Sequence, residues 1–229
     1  MEIIVPAAGL STRYNSKKPK YLLFDVEGQL MLKRAVEQFI PQHSITIGIL
    51  DEHNKSFNVE KLIADQIPTA RVVVLDRRTA GPAETVYQII QKANIKGEFF
   101  VKDCDSFFKY TYRPGNVICT ATAFDYELVP NFCAKSFVVS NAQNIVLDII
   151  EKRIVSDIFC VGGYQIAQTD LYCGVYEKLQ SITAEIFVSH IIQDMIAQGE
   201  IFVHNYVDDW VDVGTITEWN AYNTKLLNE

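Results

Sequence analysis

No apolar run in the 229-residue sequence approaches the ~20 residues that a membrane-spanning helix requires, because charge, proline or glycine interrupts each hydrophobic stretch. A soluble chain with no membrane partner is expected. Cysteine is sparse and scattered: Cys104, Cys119, Cys133, Cys160 and Cys173 are odd in number and form no C-x-x-C pair, which leaves no signal for zinc or a redox dithiol. Positive charge is also in deficit. With 21 Lys and Arg against 28 Asp and Glu the net charge is −7 and the pI about 5.2, so polyanions are repelled on average and nucleic acid is not an expected partner. His43, His53, His190 and His204 make no H-x-x-x-H or H-E-x-x-H spacing, which disfavours a zinc hydrolase. The G-x-S-x-G elbow, the Walker A loop and the dinucleotide G-x-G-x-x-G are absent as well. Met1 is followed by Glu2 and a short apolar run to Leu10, without the basic start and cleavage pattern of a signal peptide, so a cytoplasmic location is expected.

What is present is ordinary globular composition, 48% hydrophobic, 21% charged and 11% aromatic, which excludes disordered, collagenous and disulfide-stapled classes. At roughly 150 residues per domain, the length fits one domain carrying an insertion. The first half alternates strand-like and helical runs, the pattern of a mostly parallel sheet covered by helices on both faces: an α/β, Rossmann-like three-layer architecture. Strands are expected at Glu2–Pro6, Ile45–Leu50, Arg71–Leu75 and Glu98–Lys102, and helices at Leu30–Ile40, Val59–Ile67 and Pro82–Lys92. From about Pro114 to Ala167 the runs are strand-like (Val117–Phe124, Phe132–Ser140, Ile145–Ile150, Ile158–Ile166), as in a β-rich insertion. Helices at Leu171–Leu179 and Ile186–Ala197, a strand at Ile201–Tyr206 and a helix at Glu218–Leu227 complete the chain.

Ligands of open α/β sheets bind beyond the carboxyl ends of strands, so the segments after Pro6, Leu75 and Lys102 draw attention. After Pro6 come Ala7, Ala8, Gly9, Leu10, Ser11, Thr12 and Arg13, then Lys17, Lys18, Pro19 and Lys20. The small residues let a ligand approach backbone N–H groups, and Arg13 and Lys20 suit a triphosphate; the plain alternative is a solvated basic loop. Asp103-Cys104-Asp105 places two carboxylates at a strand end, where hard oxygen donors suit Mg²⁺ against a phosphate; alone, such a pair is more often a polar turn whose Asp residues cap the next segment. Asp208-Asp209-Trp210-Val211-Asp212-Val213-Gly214-Thr215 is a second acidic site, otherwise a turn with Thr215 or Thr217 capping the last helix. Two such sites make a shared metal more credible than either alone. Phe99, Phe100, Phe107 and Phe108 read as core packing.

In this order the segments resemble the sugar-phosphate nucleotidyltransferases. That family opens on a strand, G-x-G-T-R and a P-K pair; Gly9-Leu10-Ser11-Thr12-Arg13 and Pro19-Lys20-Tyr21-Leu22-Leu23 stand in those places, with Ser11 where a second glycine is usual. Gly81-Pro82-Ala83-Glu84-Thr85 is similar to the base-contacting G-x-A segment, and Val101-Lys102-Asp103-Cys104-Asp105 to the segment with the metal-binding aspartate. Glu151-Lys152 and Val161-Gly162-Gly163-Tyr164 resemble the E-K and G-x-Y elements that face the acceptor, and Trp210 to Thr215 the W-x-D-x-G-T element with the second metal aspartate. The likeness spans nearly the whole chain.

The resemblance implies a Mg²⁺-dependent enzyme of sugar-nucleotide biosynthesis that binds a nucleoside triphosphate and a small phosphorylated acceptor. An acceptor phosphate oxygen would attack the α-phosphorus and release pyrophosphate. It implies Arg13 on the pyrophosphate, Lys20 on the α-phosphate, Asp105 and Asp212 on the metal, and Asp103 assisting on the nucleotide side. Ala7, Ala8, Gly9, Ser11, Thr12, Gly81 and Glu84 would contact the nucleotide, and Glu151, Lys152 and Gly163 the acceptor. A homo-oligomer is compatible with it. Two rival readings stand: a cytidylyltransferase for choline phosphate or a polyol phosphate, with Tyr126, Phe132 and Tyr164 facing a cationic head group, and a catalytically silent nucleotide-binding regulator.

Overall fold

Buried apolar runs long enough for five- to seven-residue strands recur along the chain, and they assemble one large sheet. The computed structural model describes residues 1–11, 14, 18–126, 129–183 and 185–228. In chain order the strands are β1 (Glu2–Pro6), β2 (Ser44–Leu50), β3 (Arg71–Leu75), β4 (Phe99–Lys102), β5 (Ser106–Lys109), β6 (Asn116–Thr122), β7 (Ser136–Ser140), β8 (Val146–Glu151), β9 (Ile158–Ile166), β10 (Phe202–Tyr206) and β11 (Asp208–Asp212). The helices are α1 (Met31–Val36), α2 (Asp51–Phe57), α3 (Val59–Gln66), α4 (Pro82–Ala93), α5 (Thr169–Leu179), α6 (Val188–Ala197) and α7 (Ile216–Leu226). The main sheet runs β10-β6-β9-β4-β1-β2-β3. Its neighbours are parallel except at β9, which lies antiparallel between β4 and β6.

Strand residues alternate between two faces, and the core divides accordingly. Ile3, Val5, Ile45 and Ile47 pack on one side with Val59 and Ile63 of α3 and Trp219 of α7. Ile4, Val101 and Ile166 pack on the other with Val86 and Ile89 of α4, Tyr172 of α5 and Ile192 of α6. This is the expected three-layer α/β arrangement. None of the helices among the described residues is long and apolar enough to cross a membrane.

Several boundaries depart from the sequence expectation. Within the β-rich stretch, β6 and β9 enter the main sheet, and β7 and β8 form a hairpin attached to β9 through Phe137 and Phe159. Phe132–Ala134 is a 3₁₀ turn, because Asn131 before it adopts a left-handed φ of 50°. The expected helix from Leu30 to Ile40 ends its α-helical part at Val36. Helix α2 was not foreseen: its sequence DEHNKSF buries only His53 and has no apolar period. Nor was the small antiparallel sheet of β5 and β11, in which Phe107, Phe108 and Trp210 are buried. It is this pair that builds the site.

Candidate active site

Beyond the carboxyl ends of β1 and β4 lies a cavity of about 660 Å³, lined on one side by Ala7, Gly9, Ser11 and Lys20 and on another by Asp103, Asp105 and Asp212. Ser106 pairs with Asp212 across β5 and β11, and the carbonyl of Asp105 accepts the Val213 N–H at 2.9 Å. Two acidic segments far apart in sequence are thereby fixed side by side. The turn before β5 is pinned from within by fully buried Lys102, whose ammonium donates to the carbonyls of Asp103 (2.8 Å) and Ser106. Burial pushes the Lys102 ammonium down to about 8.

Asp103 points inward against β9. Its N–H donates to the Gly162 carbonyl at 2.8 Å, and Gly162 sits at φ +78°, where an added Cβ would come within 2.5 Å of Asp103 Oδ2. Burial, and then the nearby charge of Asp105, push the Asp103 carboxyl up to about 6, with Lys102, Lys20 and Lys135 pulling the other way. Asp105 forms an ion pair with Lys20, and Asp212 one with Lys135, which opens β7's approach to the cavity. Asp212 Oδ1 accepts the Gly214 N–H at 2.7 Å, leaving Oδ2 to Lys135.

The first loop is tied to the same place. Buried Tyr14 donates its hydroxyl to the Val213 carbonyl. Ser11 takes a left-handed φ of 55°, the conformation that a glycine would supply, and its Oγ accepts the Lys20 N–H at 2.9 Å. The hydroxyl that was a candidate phosphate contact is thus engaged in holding Lys20. Gly9 has open space around it, and a backbone so bare suits close approach of a ligand. Thr12 and Arg13 lie outside the described residues.

Opposite stands the wall of Glu151 and Lys152. Glu151 lines the cavity with its Oε2 accepting from the hydroxyls of Ser136 and Ser189, the latter at 2.6 Å. Lys152, at a left-handed φ of 54°, lays its ammonium over the Phe187 ring at 3.9 Å from the centroid. Its N–H donates to the Lys135 carbonyl at 3.0 Å, which couples the two basic residues.

Of the expected residues, Ala7, Gly9, Ser11, Lys20, Asp103, Asp105, Glu151, Lys152 and Asp212 face this cavity. Four others do not line it. Ala8 packs its side chain in the core beside Ile4. Gly81 serves as the N-cap of α4, packed so closely on Ile186 that a Cβ would lie 2.7 Å from its carbonyl oxygen. Glu84 is buried with its carboxylate accepting from Ala80 N–H (2.6 Å) and Arg77 (2.7 Å), so it ties the loop before α4; Pro82 reaches the cavity instead. Gly163 faces Phe108 and Cys119, and Gly162 is the glycine of that pair that opens on the site. Tyr126 packs edge-on against Trp210, and Phe132 edge-on against Phe137 and Phe159, which leaves Tyr164 as the member of that aromatic set in the lining. Lys135, Phe187, Ser136 and Ser189 were not foreseen.

A divalent cation finds hard oxygen donors here, but among the described residues no group of three or more His, Cys, Asp or Glu converges. Two carboxylates fit an ion that completes its shell with water and substrate phosphates, as Mg²⁺ does.

No family model and no curated protein matches the sequence. Solved structures do match the fold. A nucleoside-diphosphate-sugar pyrophosphorylase from Vibrio cholerae RC9 superposes with a TM-score of 0.83 at 18% identity, over 97% of this chain and 99% of that one. The chain has the sugar-phosphate nucleotidyltransferase fold. An inositol-1-phosphate CTP transferase from T. maritima follows with a TM-score of 0.80 at 17% identity, over 99% and 94% of the two chains. A putative glucose-1-phosphate thymidylyltransferase from Bacillus anthracis, in complex with a sucrose, gives 0.77 at 18% identity, over 98% and 94%.

Proposed function

We propose that the chain is a Mg²⁺-dependent nucleotidyltransferase that transfers a nucleoside monophosphate from a nucleoside triphosphate to a sugar phosphate and releases pyrophosphate. The observation that carries this reading is the convergence of Lys20–Asp105 and Lys135–Asp212 in one cavity between the bare Ala7–Gly9 backbone and Glu151–Lys152. A phosphate oxygen of the acceptor attacks the α-phosphorus in line. The new P–O bond forms as the bond from the α-phosphorus to its bridging oxygen breaks, and the electron pair leaves with pyrophosphate. Such a reaction needs positioning and charge neutralisation more than proton transfer.

Lys20 holds the α-phosphate, Arg13 the leaving pyrophosphate, and Lys152 the acceptor phosphate. Asp105 and Asp212 would hold Mg²⁺, which would supply neutralisation of the phosphate charge. Glu151, an acceptor-only carboxylate with lone pairs beyond those taken by Ser136 and Ser189, receives hydroxyl donors of the acceptor. A choline head group is disfavoured, because Lys152 already covers the Phe187 face and would repel a second cation. A sugar or cyclic polyol phosphate fits better.

The test is a screen of the four ribonucleotides and dTTP against phosphorylated sugars, polyols and amino alcohols, reading magnesium-dependent pyrophosphate release. Release with a sugar phosphate is expected. Nucleotide binding with no release across the whole panel would replace this reading with that of a silent regulator.

A further inference from the structure

Lys135 has no place in the motif order, yet it lines the site. Its ammonium takes Asp212 Oδ2, and the other oxygen of that carboxylate is committed to the Gly214 N–H at 2.7 Å. A cation seeking Asp212 therefore competes with Lys135 for Oδ2. The pair is largely shielded from water, with 17% of the Lys135 side chain and 7% of the Asp212 side chain exposed, so the competition is not softened by screening. Lys135 also lies over the Trp210 ring at 5.1 Å and hands its carbonyl to the Lys152 N–H, which places it between the acidic pair and the wall of Glu151 and Lys152.

Resting on the reading of Asp212 as a metal carboxylate, we propose that Lys135 is a substrate-phosphate residue that exchanges partners: it neutralises Asp212 in the free protein and moves to a substrate phosphate when the divalent cation takes Asp212. The exchange conserves charge at each step. A phosphate arriving alone finds Lys135 engaged, and a cation arriving alone finds Oδ2 occupied. Together each frees the site of the other, so cation and phosphate bind with positive coupling, and the coupling is reciprocal by linkage. A lysine suits the task, being a point charge on a flexible four-carbon stem. The phosphate belongs either to the nucleotide or to the acceptor, and the two are separable by experiment.

The full chain is titrated with Mn²⁺ by electron paramagnetic resonance in the absence of phosphate, as wild type, Lys135→Met and Lys135→Gln, each checked for folding by circular dichroism. Loss of the competing ammonium is expected to tighten Mn²⁺ binding by about tenfold in both variants. In metal-free buffer, binding of glucose 1-phosphate and of each nucleoside triphosphate is measured separately on wild type, Lys135→Met and Asp212→Asn. Asp212→Asn, which releases Lys135, is expected to tighten the ligand that Lys135 receives, and Lys135→Met to weaken that same ligand. Which ligand responds identifies the phosphate. A merely structural pair would loosen both ligands in both variants, and that result overturns the exchange. Unchanged or weaker Mn²⁺ binding in whichever lysine variant folds overturns it too. If Mn²⁺ binds the wild type with nucleotide but neither variant moves any affinity, the exchange alone falls. If Mn²⁺ fails to bind the wild type with or without nucleotide, the metal reading of Asp105 and Asp212 falls with it.

Discussion

Asp103 and Asp105 are two residues apart, yet the turn directs one carboxylate against β9, where burial raises its proton affinity, and the other to the ammonium of Lys20. Roles divide accordingly. Asp105, on the cavity side, is the metal carboxylate of the proposed reaction, and Asp105→Asn is expected to lower kcat by about 10²- to 10³-fold, the usual loss when a charge acting in the transition state is removed. Steady-state pyrophosphate release measures it, and full metal-dependent activity would remove Asp105 from this role. Asp103 depends on the room that Gly162 leaves. In Gly162→Ala the new Cβ meets Asp103 Oδ2 and the residue must hold a left-handed φ, which costs roughly 1–2 kcal/mol before any clash. Urea unfolding should show at least that loss. At this scale the carboxylates were legible because Asp-x-Asp and Asp-x-Gly-Thr are short local patterns. Lys135 was not, since its partner lies 77 residues away and a lysine beside Ala134 and Ser136 carries no local signal. Gly81 and Glu84 were read as nucleotide contacts from a short pattern whose nearer use is to start α4 and tie the loop before it.

Strands and helices position these residues through a few cross-ties. Among the described residues, Tyr14 adds a tie to those at Ser11 and Lys20 in the first loop: its hydroxyl reaches the Val213 carbonyl just past β11 and so joins the loop to the second acidic segment. Tyr14→Phe leaves that carbonyl unpaired in a buried place and is expected to cost about 1–3 kcal/mol in thermal or urea unfolding. Because β11 then loses its tie to the loop that takes the nucleotide in the proposed reaction, KM for the triphosphate should rise more than KM for the acceptor; equal changes in both would show that the tie does not set the loop. β1, β3 and β9 were legible to the residue: β1 is an apolar run buried through its middle, β3 is a β-branched run with alternating burial at the sheet edge, and β9 is a buried run bounded by turn residues. Helix α2 and strand β11 were not, because DEHNKSF and DDWVD are mostly polar and owe their conformations to what they join. The α7 start was visible in part: of the two cap candidates, Thr215 and Thr217, it is Thr215 whose Oγ1 accepts the Glu218 N–H while Glu218 Oε2 accepts the Thr215 N–H at 2.7 Å, so the helix opens at Ile216, two residues before the expected Glu218.

For the whole molecule the interior histidines decide how stability responds to mild acid. His204 is buried beneath β6 and β7, with Thr120 Oγ1 on Nδ1 and Ser140 Oγ on Nε2, both at 3.1 Å, and burial lowers its proton affinity. His53 is lowered by burial as well, and its Nδ1 meets the Tyr21 hydroxyl at 3.1 Å. In the unfolded chain both take up protons as pH falls through about 6.5, while the folded protein keeps them neutral, so the unfolded state binds more protons and stability declines with falling pH. Each histidine contributes up to about 1.4 kcal/mol per pH unit between the unfolded value and its own depressed one, and nothing above about 7. Asp103 works in the opposite sense. Raised to about 6 in the folded protein, it holds a proton there that the unfolded chain has released, so between about 6 and the ordinary aspartate value acid favours the folded state through this group. Asp103 offsets part of the histidine decline below about pH 6, and the histidine part is separable. His204→Gln, a neutral side chain with a donor and an acceptor, should be less stable than the parent near pH 7.5 and should lose stability more slowly between pH 6.5 and 5. Parallel pH dependences of the two proteins over that range would show that His204 takes up its proton equally in the folded and unfolded states, and would overturn the burial effect.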